Sequence, residues 1–107
     1  VLRGLGKLKE AELSCRKAIE IKADYVEAHS NLGNVLRGLG KLKEAELSCR
    51  KAIEIKPEYV EAHYNLGKIL INLGKLQEAR LCSEKIMSIR PWSIIGTQSF
   101  TYEMKLD

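Results

Sequence analysis

Residues 1–34 and 35–68 align without a gap and differ at four slots: Ala23/Pro57, Asp24/Glu58, Ser30/Tyr64 and Asn34/Lys68. A third copy keeps the frame more loosely. LGKLQEA from Leu73 matches LGKLKEA from Leu39, and Pro91 falls where Pro57 did. This sustained period of 34 residues constrains the fold more than any other feature. One such unit is too short to bury a core alone, whereas stacked units share a continuous one.

The period divides into two amphipathic helices. In the middle copy the spacing predicts a first helix over 25–39, with Ala28, His29, Leu32, Gly33 and Leu36 facing inward at steps of three and four. Gly40 follows and can take the left-handed conformation that ends a helix. A second helix is predicted over 42–55, with Leu42, Ala45, Cys49, Ala52 and Ile53 as its apolar stripe. Glu46 and Arg50 stand four apart on its other side and can pair. Pro57 stops this helix, and Asp24 or Glu58 opens the next, where a carboxylate suits the positive helix end. Gly33, Ala45 and Ala52 lack bulk, so the two helices can approach closely. The prediction is an all-α chain of antiparallel helix pairs.

These residues carry a family resemblance. His29-x-x-Leu32-Gly33-x-x-Leu36, then Ala45-x-x-x-Cys49, Ala52 and Pro57, resembles the tetratricopeptide repeat. The next copy offers His63, Leu66, Gly67, Leu70, Ala79, Ser83, Ile86 and Pro91. The usual Trp is His here, and the usual aromatics are Leu36 and Cys49. The resemblance implies a right-handed α-solenoid with a 34-residue period. The expected organisation is a repeat array over 1–91, with a partial first unit 1–24, a second unit 25–58 and a third unit 59–91. A tail follows at 92–107, with a capping helix expected there from Ile95, Phe100 and Met104. VLRGL reads as the end of a first helix whose remainder is missing, so the chain is expected to be cut from a longer array. Its open N-terminal face is expected to stack on another copy.

The rest of the sequence excludes most chemistry. No phosphate-binding loop, GxSxG or HExxH is present. His29 and His63 repeat one inward slot about 10 Å apart, the spacing of packed helices, too far to share a metal. No metal, cofactor or catalytic residue is expected. The net charge of +4 comes from interspersed acids and bases, a solvated mixed surface rather than a nucleic-acid stripe. No apolar run reaches the ~18 residues that span a bilayer. Three cysteines, an odd count, follow a start unlike a signal peptide. A reducing, cytoplasmic compartment is expected, with Cys15 and Cys49 as small buried hydrophobes.

What remains is binding. In the tetratricopeptide family, ligands are usually held on the concave side, lined by the first helix of each pair. The resemblance carries that face onto Glu27, Ser30, Asn31, Asn34 and Arg37, then Glu61, Tyr64, Asn65, Lys68, Ile71 and Asn72. Asp24 and Glu58 sit at the rim. Asn31 and Asn65 allow two readings. They can form a ladder to an extended peptide backbone, similar to the O-GlcNAc transferase branch of the family, or bond a neighbouring helix and stabilise stacking. The differences at 24/58, 30/64 and 34/68 likewise read as tuning toward a guest or as drift after duplication. A chaperone-tail clamp is not expected, because the slot of Ser30 lacks its lysine. The implied function is a non-catalytic scaffold for a protein or extended peptide. The alternatives are a spacer or self-assembly module, and a substrate-recognition segment fused to a transferase.

Overall fold

The structure is a computed structural model that describes residues 2–90 of the chain. The capping helix expected at 92–107 lies outside the described residues. Five helices follow in order: α1 Leu2–Ile21, α2 Val26–Gly38, α3 Leu42–Ile55, α4 Val60–Asn72 and α5 Leu76–Ile89. Each packs on the next, and α2 also touches α4, so α2/α3 and α4/α5 form stacked hairpins. The chain is an all-α solenoid.

The helix ends follow local chemistry. After α2, Gly40 takes φ +82°. Its N–H donates to Arg37 O at 3.0 Å, and the Lys41 N–H donates to Leu36 O at 2.9 Å. These two bonds satisfy carbonyls that a helix end would otherwise leave bare. Gly74 repeats the arrangement at φ +80°, with the Lys75 N–H reaching Leu70 O at 2.8 Å. At the start of α2 and α4 the outcome departs from expectation. Tyr25 and Tyr59 are the N-cap residues and make no side-chain cap bond. Asp24 stays exposed and instead stands 4.0 Å from Lys22.

The first copy holds a second correction. Val35–Leu42 and Val1–Leu8 are the same eight letters, yet only the former turns. α1 runs unbroken through Gly4 and Gly6. In the second copy the reversal lays α3 back on α2 and buries Ala45 and Cys49, both 0% exposed. Among the described residues no helix stands to α1 as α2 stands to α3. Nothing offsets the loss of helical hydrogen bonds there, and the helix continues.

The core links the hairpins through Leu32, Leu36, Cys49, Leu66, Ile69 and Leu70. Burying each of the larger side chains contributes about 1.5–3 kcal/mol. Gly33 makes the closest approach: a Cβ there would run into Cys49 Sγ and lie 3.2 Å from Ala45 O. Its counterpart Gly67 is looser, with only Cys82 Cβ, at 3.5 Å, within reach. In α5 the inward cysteine is Cys82 rather than Ser83, which is exposed. Ser83 holds the Cys49 slot by sequence, whereas Ala79 and Ile86 stay buried in the slots of Ala45 and Ala52, so the exchange is confined to this one position.

Candidate functional site

All the residues expected on the concave face lie on α2 or α4, and their burial divides them. Glu27, Asn31, Asn34, Glu61, Tyr64, Ile71 and Asn72 are exposed, and Arg37 and Lys68 are half-buried. Ser30 and Asn65 are not surface groups, at 0% and 5% exposed. Asn65 Nδ2 donates to Ser30 Oγ at 3.2 Å and to Ser30 O at 3.3 Å. The Asn65 amide is therefore engaged in joining α4 to α2. Placing these two in an open groove is corrected: they sit on the line where first helices of adjacent units meet. Buried polar groups there must find partners, and a small hydroxyl opposite an amide does so. Asn31 holds the same slot one unit earlier, but among the described residues no first helix of a preceding unit lies against it. It lines a hollow with Glu27, Tyr25 and α1 residues Ser14, Cys15 and Ala18.

On α4 the exposed residues form a stripe. Lys68 Nζ stands 4.6 Å from the centroid of the Tyr64 ring, close enough for cation–π attraction. Tyr64 is 56% and Ile71 57% exposed. With α5 residues Ala79, Cys82, Ser83 and Ile86 they wall a hollow at the end of the described array. The matching surface one unit earlier, around Ser30 and Gly33, is covered by α4. The changes Ser30/Tyr64 and Asn34/Lys68 thus separate a covered unit from an open one, and the second change is coupled to the first through the Tyr64–Lys68 stack.

The histidines and thiols are engaged elsewhere. His29 Nε2–H donates to Ala23 O at 2.8 Å, and His63 Nε2–H donates to Pro57 O at 2.7 Å. A carbonyl only accepts, so Nε2 carries the proton in both rings, which pin the chain between units. Burial, with a smaller contribution from nearby Cys82, pushes the Cys49 thiol up to about 12. Burial also raises Cys15 and Cys82. None of the three has the lowered pKa of a reactive thiol. Among the described residues no group of three His, Cys, Asp or Glu side chains is placed to hold a metal ion, and no helix is long and apolar enough to cross a membrane.

One charged feature was only half visible in the sequence. Glu46 pairs with Arg50 at 2.9 Å as its spacing suggested. It also receives Lys75, the N-cap residue of α5, at 3.4 Å, while Arg50 reaches Glu78 at 3.0 Å. One unit earlier, Glu12 pairs with Arg16 at 2.9 Å and Lys41 at 3.5 Å, and Arg16 reaches Glu44 at 3.5 Å. The second helices are thus clamped to one another by a repeated four-charge pattern. The available signal was that Lys41/Lys75 and Glu44/Glu78 share slots. Burial raises the Glu46 carboxyl, but hydrogen bonds from Arg50 and Lys75 outweigh it and hold the pKa below the usual range. For Glu12 the Arg16 hydrogen bond is the largest influence, and the net direction is again down.

Similarity to known proteins agrees with this architecture. A model described as "TPR repeat" matches residues 33–74. A second, "Tetratricopeptide repeat", matches residues 1–25 and 60–91, more than half of the chain. No curated protein is significantly similar in sequence. Among solved structures, the first TPR of Spaghetti (RPAP3) bound to HSP90 peptide SRMEEVD superposes with a TM-score of 0.77 at 26% identity, covering 80% of this chain and 68% of that one. The second TPR of the same protein, bound to the same peptide, gives 0.75 at 26% identity and covers 79% of each chain. An O-GlcNAc transferase variant from Thermobaculum terrenum gives 0.76 at 26% identity, covering 81% of this chain but 17% of that one. Period, paired helices and family models agree, and the chain belongs to the tetratricopeptide repeat family.

Proposed function

We propose that this chain is a non-catalytic scaffold that holds a protein or extended peptide against α2 and α4. One observation carries the reading: the Tyr64, Lys68 and Ile71 stripe, an exposed aromatic and an exposed aliphatic with a half-buried cation between them on one helix face. An exposed tyrosine is of the kind enriched at binding surfaces, and an exposed apolar patch marks such surfaces. The RPAP3 neighbours, each bound to a peptide, support the same class of partner. Arg37 and Lys68 favour an acidic residue in the guest, and Tyr64 and Ile71 an apolar one beside it. Asn31 supplies an exposed amide, whereas that of Asn65 is engaged with Ser30. Micromolar binding needs about 8 kcal/mol. So short a stripe should reach only a Kd of roughly 0.1–1 mM, or about 4–5.5 kcal/mol.

Fluorescence anisotropy with a panel of labelled extended peptides tests this. The panel spans acidic–apolar, basic and neutral sequences and includes SRMEEVD. Acidic–apolar peptides should bind best, with SRMEEVD no better than others of its class. Tyr64→Ala and Lys68→Ala should each weaken binding several-fold while leaving Tm nearly unchanged. Equal, negligible binding across the panel refutes the reading.

A spacer role is favoured by the Asn65–Ser30 bond, which places one of the two asparagines in stacking. The two roles separate cleanly. Asn65→Ala leaves buried Ser30 without its partner and should cost about 1–3 kcal/mol. Asn31→Ala, on an exposed site, should stay within about 0.5 kcal/mol.

A further inference from the structure

The charge clamp between second helices does not continue with the same sign. Glu46 and Arg50 are the residues of α3 that accept Lys75 and Glu78. Their counterparts one period later are Arg80 and Glu84. Both are exposed on α5, and their order is inverted: base where the acid stood, acid where the base stood. Beside them, Tyr64 replaces the fully buried Ser30 that takes the Asn65 amide. Two independent features of the same end surface, its charge order and its steric line, therefore differ from the internal junctions.

We propose that the α4/α5 end of the array selects a helix pair of opposite charge pattern, with an acidic residue in the Lys75 slot and a basic one in the Glu78 slot. The same surface rejects a further unit of this chain's own type. A unit carrying the usual Lys and Glu would set Lys against Arg80 and Glu against Glu84, two like-charge contacts in place of two attractive ones. The N-terminal unit carries Lys7 and Glu10 in the two slots by sequence, with Lys7 inside α1 rather than at a helix start. The first two junctions encode one polarity, and the third surface encodes its complement.

A charge-swap experiment tests this. A fourth unit, a copy of residues 57–90, is inserted between Arg90 and Pro91. One version keeps its counterparts of Lys75 and Glu78, and another changes them to Glu and Lys. The swapped version should be favoured roughly tenfold in folding equilibrium constant by urea denaturation, given two exposed pairs of modest strength. The preference should shrink in 1 M NaCl and invert in an R80E/E84R background. An arm in the uninterrupted chain guards against a misfolded insertion. K75E/E78K should lower the urea midpoint, and E46R/R50E on the facing helix should restore it. A preference that is absent, or of the same sign in both backgrounds, overturns the proposal, as does failure of the facing swap to restore stability.

Discussion

Adding one methyl group at Gly33 and at Gly67 should move stability in opposite directions. The two glycines hold the same slot of successive units, both inside helices. In a helix interior Ala is favoured over Gly by about 0.5–1 kcal/mol. At Gly67 nothing opposes that gain, since the new Cβ meets only Cys82 Cβ at 3.5 Å, an ordinary contact. At Gly33 the new Cβ collides with Cys49 Sγ and presses on Ala45 O at 3.2 Å. The sulfur is enclosed, with Cys49 0% exposed, so α2 and α3 must separate. Overpacking of this kind costs about 1–3 kcal/mol. The net expectation is a loss of about 1–2 kcal/mol for Gly33→Ala and a gain of about 0.5–1 for Gly67→Ala. Urea denaturation followed by circular dichroism and tyrosine fluorescence measures both, provided the two probes coincide. Cys49→Ala in the Gly33→Ala background should recover most of the loss by removing the colliding atom. If Gly33→Ala is as stable as Gly67→Ala, or if Cys49→Ala brings no recovery, the close approach of α2 to α3 is wrong.

Three further outcomes follow from the same geometry. Gly6→Ala should stabilise by about 0.5–1 kcal/mol because Gly6 lies inside α1, whereas Gly40→Ala, at φ +82°, should cost about 1–2 kcal/mol; thermal unfolding of both variants checks the sign. Glu12 and Glu46 have lowered pKa values, so the stability they contribute is fully present above the unfolded value of about 4.3 and lost as pH falls through their folded values. Urea midpoints should therefore hold between pH 7 and 5 and fall at pH 3, and less steeply for Glu46→Gln. Thiol labelling with a disulfide reagent should be fastest at half-buried Cys15 and slowest at Cys49, whose thiol sits at about 12; equal rates in the native protein would contradict the packing.

The period, the helix pairs and their glycine stops were legible because each rests on local chemistry. Helix α3 was predicted over 42–55 and is observed over Leu42–Ile55. Three things were not legible, each for a tertiary reason. VLRGLGKL folds as a turn in one copy and as helix in the other, because the reversal depends on a facing helix rather than on the eight letters. Cys82 displaces Ser83 from the core although Ala79 and Ile86 keep their slots, because two adjacent small residues compete for one inward position and the apolar thiol takes it over the hydroxyl. Ser30 reads as a groove residue because one step along a helix is about 100°. Slot 30 lies against the first helix of the following unit and slot 31 against that of the preceding one, as the Ser30–Asn65 bond shows, and periodicity alone does not say where the neighbour stands.

That same step settles what the faithful repeat changes at Ser30 and Tyr64. A Tyr in the place of Ser30 could not lie under α4, since the site is closed and its hydroxyl position is filled by the Asn65 bond. A Tyr at 64 is tolerated because no described helix covers it, and Lys68 then stacks on the ring. The substitution thus converts a stacking surface into an exposed one, whether or not a guest binds there. Ser30→Tyr should accordingly separate α2 from α4 and lower stability by about 1–3 kcal/mol, whereas Tyr64→Ser should change it by less than about 0.5 kcal/mol. Equal effects at the two slots would mean that burial at the unit junction is not what distinguishes them.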